Sequence, residues 1–174
     1  GVFLLQVTPI SRDEVETYQD IRARLDALAG RINGEFAEMD WQPIRYLNRT
    51  YRRDQLAGLY RAARVGLVTP LRDGMNLVAK EYVAAQDPAD PGVLILSRFA
   101  GAAEQMGEAL LVNPFSREEL SDAILKALTM PLDERRRRWE ALMRVVRDTD
   151  VAHWRDAFVS ALKVAPVVAD DGRG

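Results

Sequence analysis

Between Val65 and Gln86 the chain reads VGLVTPLRDGMNLVAKEYVAAQ, and groups suited to a phosphorylated ligand stand there in close succession. A short apolar run ends at Pro70, and the loop after it carries Arg72 and Asp73. Gly74 comes next and is expected to let the backbone turn closely past a ligand. Asn76 is placed to cap a helix whose first free amides belong to Leu77 and Val78. Those amides, with the positive end of the helix, form a site for a phosphate or diphosphate. Glu81 lies four residues beyond Leu77, one turn deeper on the same face, where a carboxylate can accept both hydroxyls of a ribose. Asp73, at the loop tip, can do the same for a sugar ring. An ordinary reading stands beside this one: Asp-Gly is a common turn pair, many helix N-termini bind nothing, and Glu81 suits a solvated helix face. Spacing leaves both open.

Other polar clusters say less. SRFAG, Ser97–Gly101, enters a helix at a small residue and reads as a packing or ligand-lining turn. TPISR, after Val7, sets Arg12 at the mouth of a strand, where a guanidinium can pair with a phosphate or simply stay exposed. The run Arg135–Arg138 is flanked by Glu134 and Glu140 and reads as a solvated helix face in preference to a nucleic-acid patch. The single histidine, His153, stands beside Trp154 far from any strand end and reads as structural.

The elements that must position these groups alternate. Near-continuous apolar runs fall at Val2–Val7, Ile44–Asn48, Val65–Thr69, Gly92–Ser97 and Ala109–Asn113. They are expected as parallel strands buried on both faces. Ser11 and Glu14 have capping-box spacing ahead of a helix whose apolar face is Val15, Tyr18, Ile21, Leu25, Leu28 and Ile32. Further helices are expected at Arg53–Ala63, Asn76–Gln86, Gly101–Met106 and from a Ser116/Glu119 cap to Leu128. The alternation implies an α/β fold with a parallel, doubly wound sheet, whose ligands bind at the carboxyl ends of the strands. From Pro131 onward no strand is expected. One apolar stripe there is Trp139, Leu142, Met143 and Val146; after a break near Asp150, Trp154, Phe158 and Leu162 form another over Val151–Val164. The expected division is a Rossmann-like domain over 1–130, a helical extension over 131–166 and a disordered tail over 167–174.

Composition removes several classes of function. With 24 basic against 26 acidic residues in 174, the chain has no electrostatic footprint for nucleic acid or an anionic membrane. No apolar run is long enough to span a bilayer, and GVFLLQV lacks the basic flank and cleavage site of a signal peptide. Cysteine is absent, so disulfides, thiol nucleophiles and thiolate metal sites are excluded, and one histidine supports no His-rich metal centre. A cytoplasmic chain is the expectation.

The stretch LVTPLRDGMNLVAKEYVAAQ resembles the signature of the trehalose-6-phosphate synthase family, retaining glycosyltransferases that use UDP-glucose. QVTPISRDEVETYQDIR, AGRINGEF, IRYLNR and ALLVNPFSREEL resemble the same family in the same order, so the likeness covers nearly the whole chain. It implies the Rossmann-like second half of a GT-B fold with a helical C-terminal extension. The implied reaction passes glucose from UDP-glucose to glucose 6-phosphate, giving α,α-trehalose 6-phosphate and UDP, without a metal or other cofactor. Carried over by position, Asp73 is the catalytic-site carboxylate and holds the glucosyl ring together with Gly74, Met75 and Asn76. Leu77 and Val78 take the diphosphate, and the donor-binding run continues through Ala79 and Lys80 to Glu81 on the ribose. Tyr51 and Leu56 border the uracil, and Arg12 reaches the acceptor phosphate.

The likeness also implies partners. The family's first domain, with most acceptor contacts, has no counterpart here, nor has the start of the second domain, which carries an arginine and a lysine for the departing diphosphate. The chain therefore reads as a fragment, inactive alone, with self-association as one way to cover the Trp154 stripe. Two alternatives keep part of this reading: a related synthase with another phosphorylated acceptor, such as glucosylglycerol phosphate or pseudo-glycosides, and a non-catalytic nucleotide-sugar-binding module.

Overall fold

The structure, a computed structural model, describes residues 1–8 and 16–149 together with 155, 159, 160 and 163. The Ser11/Glu14 box, Arg12, Val15, the Tyr18 side chain, Asp150, His153, the stripe of Trp154, Phe158 and Leu162, and the tail lie outside the described residues. The chain divides into two compact units, Gly1–Leu56 and Ala57–Gly174.

The first unit holds β1 (Leu4–Val7), α1 (Glu16–Phe36) and β2 (Ile44–Leu47). The strands pair in parallel, Leu4 beside Ile44 through Val7 beside Leu47. Asn33, near the end of α1, ties the helix to the start of β2 in both directions. Its Nδ2 donates to the Ile44 carbonyl at 2.9 Å, and the Ile44 amide donates to its Oδ1 at 3.0 Å. Here the expectation of strands buried on both faces fails. Leu4 is exposed and Leu5 half-buried, and Gln6 and Val7 repeat that alternation, so one face of β1 is covered and not two. Ile21 and Leu28 of the expected helical stripe are also 49% and 44% exposed.

Helix α2 (Arg53–Ala62) crosses the division, and the second unit continues with β3 (Val65–Val68), α3 (Leu77–Ala85), β4 (Val93–Ser97), β5 (Leu110–Val112), α4 (Arg117–Thr129) and α5 (Leu132–Asp148). Its ladder has the order β3-β4-β5, all parallel. β4 is buried along its whole length, and its alternating side chains explain the unbroken apolar run. Leu94 and Leu96 join Val68, Tyr82, Val83 and Leu142 on the face packed by α3 and α5. Val93 and Ile95 join Ala123, Ala127 and Met130 of α4 and its end on the other. Each large side chain fully buried this way stabilises the fold by roughly 1.5–3 kcal/mol. Leu67 belongs to neither cluster and is 38% exposed, so β3 too departs from two-sided burial.

Tyr82 shows how tightly the α3 face is filled. Its ring lies so close to β3 that a Cβ on Gly66 would stand 2.7 Å from it, and a Cβ on Gly92 would overlap its hydroxyl. That hydroxyl donates to the Ala63 carbonyl at 3.0 Å, and burial pushes the phenol well above its ordinary pKa. The Ser116 cap is present, with the Glu119 amide donating to Ser116 Oγ at 3.2 Å. The expected helix after Gly101 is a single 3-10 turn, Gly101–Glu104.

The Arg135–Arg138 run of α5 corrects another expectation. Of the four, Arg137 alone meets only carboxylates, those of Glu108 and Glu134. Arg135 is 8% exposed and donates to the Met130 and Pro91 carbonyls and to Asp90. Arg136 donates twice to the Ala89 carbonyl, and Arg138 to the Glu108 carbonyl at 2.9 Å and to Glu134. The physical reason lies in the turns that lead into β4 and β5: their carbonyls face α5, and guanidinium groups satisfy them.

Candidate functional site

The loop after β3 is held by the segment after β4. Asp73 and Ala100 form an isolated parallel bridge. The Asp73 amide donates to the Phe99 carbonyl at 3.2 Å, the Gly101 amide to the Asp73 carbonyl at 3.1 Å, and the Ala102 amide to the Met75 carbonyl at 2.9 Å. Ser97, fully buried, shapes that segment by accepting from the Phe99 amide at 3.1 Å. SRFAG thus packs against the loop after β3, one of the two roles its residues suggested. The close backbone approach is at Gly101, where a Cβ would overlap the Gly74 carbonyl oxygen. Gly74 itself has no positive φ and only open space around the position of a Cβ, so the room beside its backbone is not filled by this chain.

Asn76 governs the entry into α3. It is the only non-glycine residue with positive φ among the described residues, at φ 69° and ψ 84°. Asparagine tolerates this left-handed region better than most residues. Its Oδ1 accepts from the Ala79 amide at 3.1 Å, and its Nδ2 donates to Asp73 Oδ2 at 2.8 Å. One side chain therefore caps α3 and orients the Asp73 carboxylate. Among the described residues the amides of Leu77 and Val78 find no acceptor. Their side chains are 64% and 43% exposed, and Met75 is 38% exposed, so apolar groups surround the free helix end. Such an end attracts an anion.

Farther along α3, Ala79 is buried and Lys80 half-buried, while Glu81 is exposed. Burial first, and the charge of Glu81 second, push the Tyr60 phenol above its ordinary value. Lys80 turns to α5: its Nζ donates to Thr149 Oγ1 at 2.9 Å and to Gln105 Oε1 at 3.4 Å. Asp73 through Glu81 are thus gathered in one loop and one helix. Tyr51 and Leu56, both half-buried, flank the start of α2 in the first unit, and Arg12 lies outside the described residues. Two supports of the loop and helix were not expected from the sequence. Gly101 left a trace in the small residues of SRFAG; Thr149 left none. Among the described residues no three of His, Cys, Asp and Glu are grouped to hold a metal, and no helix is long and apolar enough to cross a membrane.

The family model for glycosyltransferase family 20 matches residues 1–164. The chain belongs to glycosyltransferase family 20. Its family 20 relatives include trehalose-6-phosphate synthases of Sodalis glossinidius, 53% identical over 95% of this chain, and of an Enterobacter species, 55% identical over 91%. Those alignments cover 35% and 33% of the relatives, so the chain spans about a third of their length. Among solved structures, a UDP-forming α,α-trehalose-phosphate synthase of Burkholderia xenovorans superposes with a TM-score of 0.89 at 56% identity. It matches over 93% of this chain and 36% of that one. The Escherichia coli trehalose-6-phosphate synthase bound with UDP-2-fluoro glucose gives 0.90 at 52% identity, over 94% of this chain and 36% of that one. The expected α/β class holds: parallel strands with flanking helices, the Rossmann-like part of a GT-B glycosyltransferase.

Proposed function

We propose that this chain is the donor-binding part of a retaining glycosyltransferase that moves glucose from UDP-glucose to glucose 6-phosphate, giving α,α-trehalose 6-phosphate and UDP. One observation carries the reading. The Asp73–Asn76–Ala79 hydrogen-bond relay leaves the Leu77 and Val78 amides free at the end of a helix that follows a parallel strand. A synthase of 52% identity is described as bound with UDP-2-fluoro glucose, and one of 53% as a complex with glucose-6-phosphate.

In this reading the diphosphate lies on the Leu77 and Val78 amides, Glu81 accepts the ribose hydroxyls, and Asp73 holds glucosyl hydroxyls with Gly74, Met75 and Asn76. Ala79 and Lys80 complete that turn of α3, while Tyr51 and Leu56 border the base and Arg12 reaches the acceptor phosphate. As the bond from the glucosyl anomeric carbon to UDP breaks, charge gathers on the diphosphate. The acceptor hydroxyl bonds the same face of the sugar and passes its proton to the departing diphosphate oxygen. Fixed amide donors stabilise such charge without reorganising, each typically contributing about 2.7–4 kcal/mol. The Leu77 and Val78 amides take that part here.

Isothermal titration of the purified chain with UDP, UDP-glucose and other nucleotide sugars tests the reading. Binding of UDP-glucose, weakened by Glu81→Gln, is the expected result. Absence of nucleotide binding by a folded chain overturns it.

A further inference from the structure

Lys80 stands between a capped helix end and the carboxylate assigned to the ribose, yet its ammonium points away along α5. Its Nζ donates to Thr149 Oγ1 at 2.9 Å. Thr149 is the residue where α5 ends, and its hydroxyl in turn donates to the Val145 carbonyl at 2.7 Å. The Thr149 amide donates to that same carbonyl at 3.0 Å. With its proton committed to Val145, the hydroxyl offers its lone pairs to the ammonium, and a cation meets the negative end of a 17-residue helix. Gln105 Oε1, at 3.4 Å, takes a second of the three ammonium donors. Three residues along α3, the Val83 carbonyl accepts from Trp139 Nε1 at 3.0 Å. Among the described residues two hydrogen bonds therefore reinforce the packing of α3 on α5, and Lys80 makes the one nearer the free amides.

We propose that Lys80 is a positioning residue that holds the first turn of α3 by binding the α5 terminus through Thr149, so that donor affinity depends on that terminus. The donor clause rests on the UDP-glucose reading above.

The test uses this chain with Lys80→Met, Thr149→Val, the double variant and Thr149→Ser. UDP-glucose affinity is measured where circular dichroism shows every variant folded, so that lower stability alone leaves the constant unmoved. Each of the first two is expected to weaken binding about threefold to tenfold, the double variant no more than either. Thr149→Ser, which keeps the hydroxyl, is expected to bind as the unsubstituted chain does. Weakening by Lys80→Met alone overturns the proposal, because Lys80 would then act on the donor directly.

Amide hydrogen exchange of Ala79 through Glu81 without ligand supplies a second measurement. Equal acceleration in Lys80→Met and Thr149→Val supports the tie, and unchanged exchange in Thr149→Val overturns it. If the unsubstituted chain binds no UDP-glucose while exchange still couples the two residues, the donor clause and the functional reading fall together and the tie stands.

Discussion

Gly101 lies so close to the Gly74 carbonyl that a Cβ at 101 would overlap that oxygen, while a Cβ at 74 would meet nothing within 4 Å. Two glycines in adjacent segments thus do opposite things. One lets the backbones touch, and the other leaves space open.

Gly101→Ala is expected to push the Asp73–Asn76 loop away from its support. Overpacking of this kind costs about 1–3 kcal/mol, which lowers Tm by several degrees, roughly 2–4 °C per kcal/mol, in a chain of this size. Gly74→Ala is expected to leave Tm unchanged within about 1 °C, because no strained backbone is involved. Its UDP-glucose affinity should nevertheless fall, since the new methyl enters the space assigned to the sugar. Thermal unfolding and titration of both variants check the contrast, and equal Tm losses would contradict it.

Asn76 makes a graded prediction. Asn76→Ala loses the cap, about 1 kcal/mol, and places an alanine at positive φ, a further cost of roughly 1–2 kcal/mol. Asn76→Gly loses the same hydrogen bonds but keeps the backbone free. Urea unfolding should rank stability as asparagine, then glycine, then alanine. Alanine ranking above glycine would mean that the left-handed backbone at 76 is not retained.

Asp73→Ala tests the sugar-facing role against a supporting one. If the carboxylate holds the glucosyl ring, UDP-glucose binding weakens more than UDP binding, because UDP has no sugar to hold. Equal losses for the two ligands would mean that Asp73 serves only through its hydrogen bond to Asn76.

Acid stability should depend on Asp90. The Arg64 guanidinium first, and Arg135 second, hold its carboxyl down at about 2 from the ordinary 3.8. A folded-state value below the unfolded one means stability that is present above the unfolded value and lost as pH falls through the folded one. Tm of the native chain should therefore drop between about pH 4 and pH 2, and Asp90→Asn should flatten that limb. An unchanged acid limb in Asp90→Asn would show that other carboxylates set it.

Features decided by neighbours along the chain were legible in the residues themselves. The Asn76 cap, the Ser116 cap and the apolar run of β4 all depend on local spacing, and all three are present. Features decided by distant partners were not. The arginines of α5 look solvated when judged by Glu134 and Glu140, but the oxygen that Arg136 reaches is 47 residues away at Ala89. The same blindness hid the close approach at Gly101, because the obstructing atom there belongs to another segment. In the first unit, apolar composition suggested two covered faces, but the exposures of β1 show one.

Tyr82, Gly66 and Gly92 form a lock with consequences for how this chain can change. Enlarging either glycine collides with the tyrosine, and shrinking the tyrosine alone leaves a void behind both glycines. Each single-residue route out of the arrangement passes through a damaged intermediate. A laboratory lineage drifting under selection for folding should therefore keep all three residues or replace them together, so variation at these positions should arrive as correlated sets.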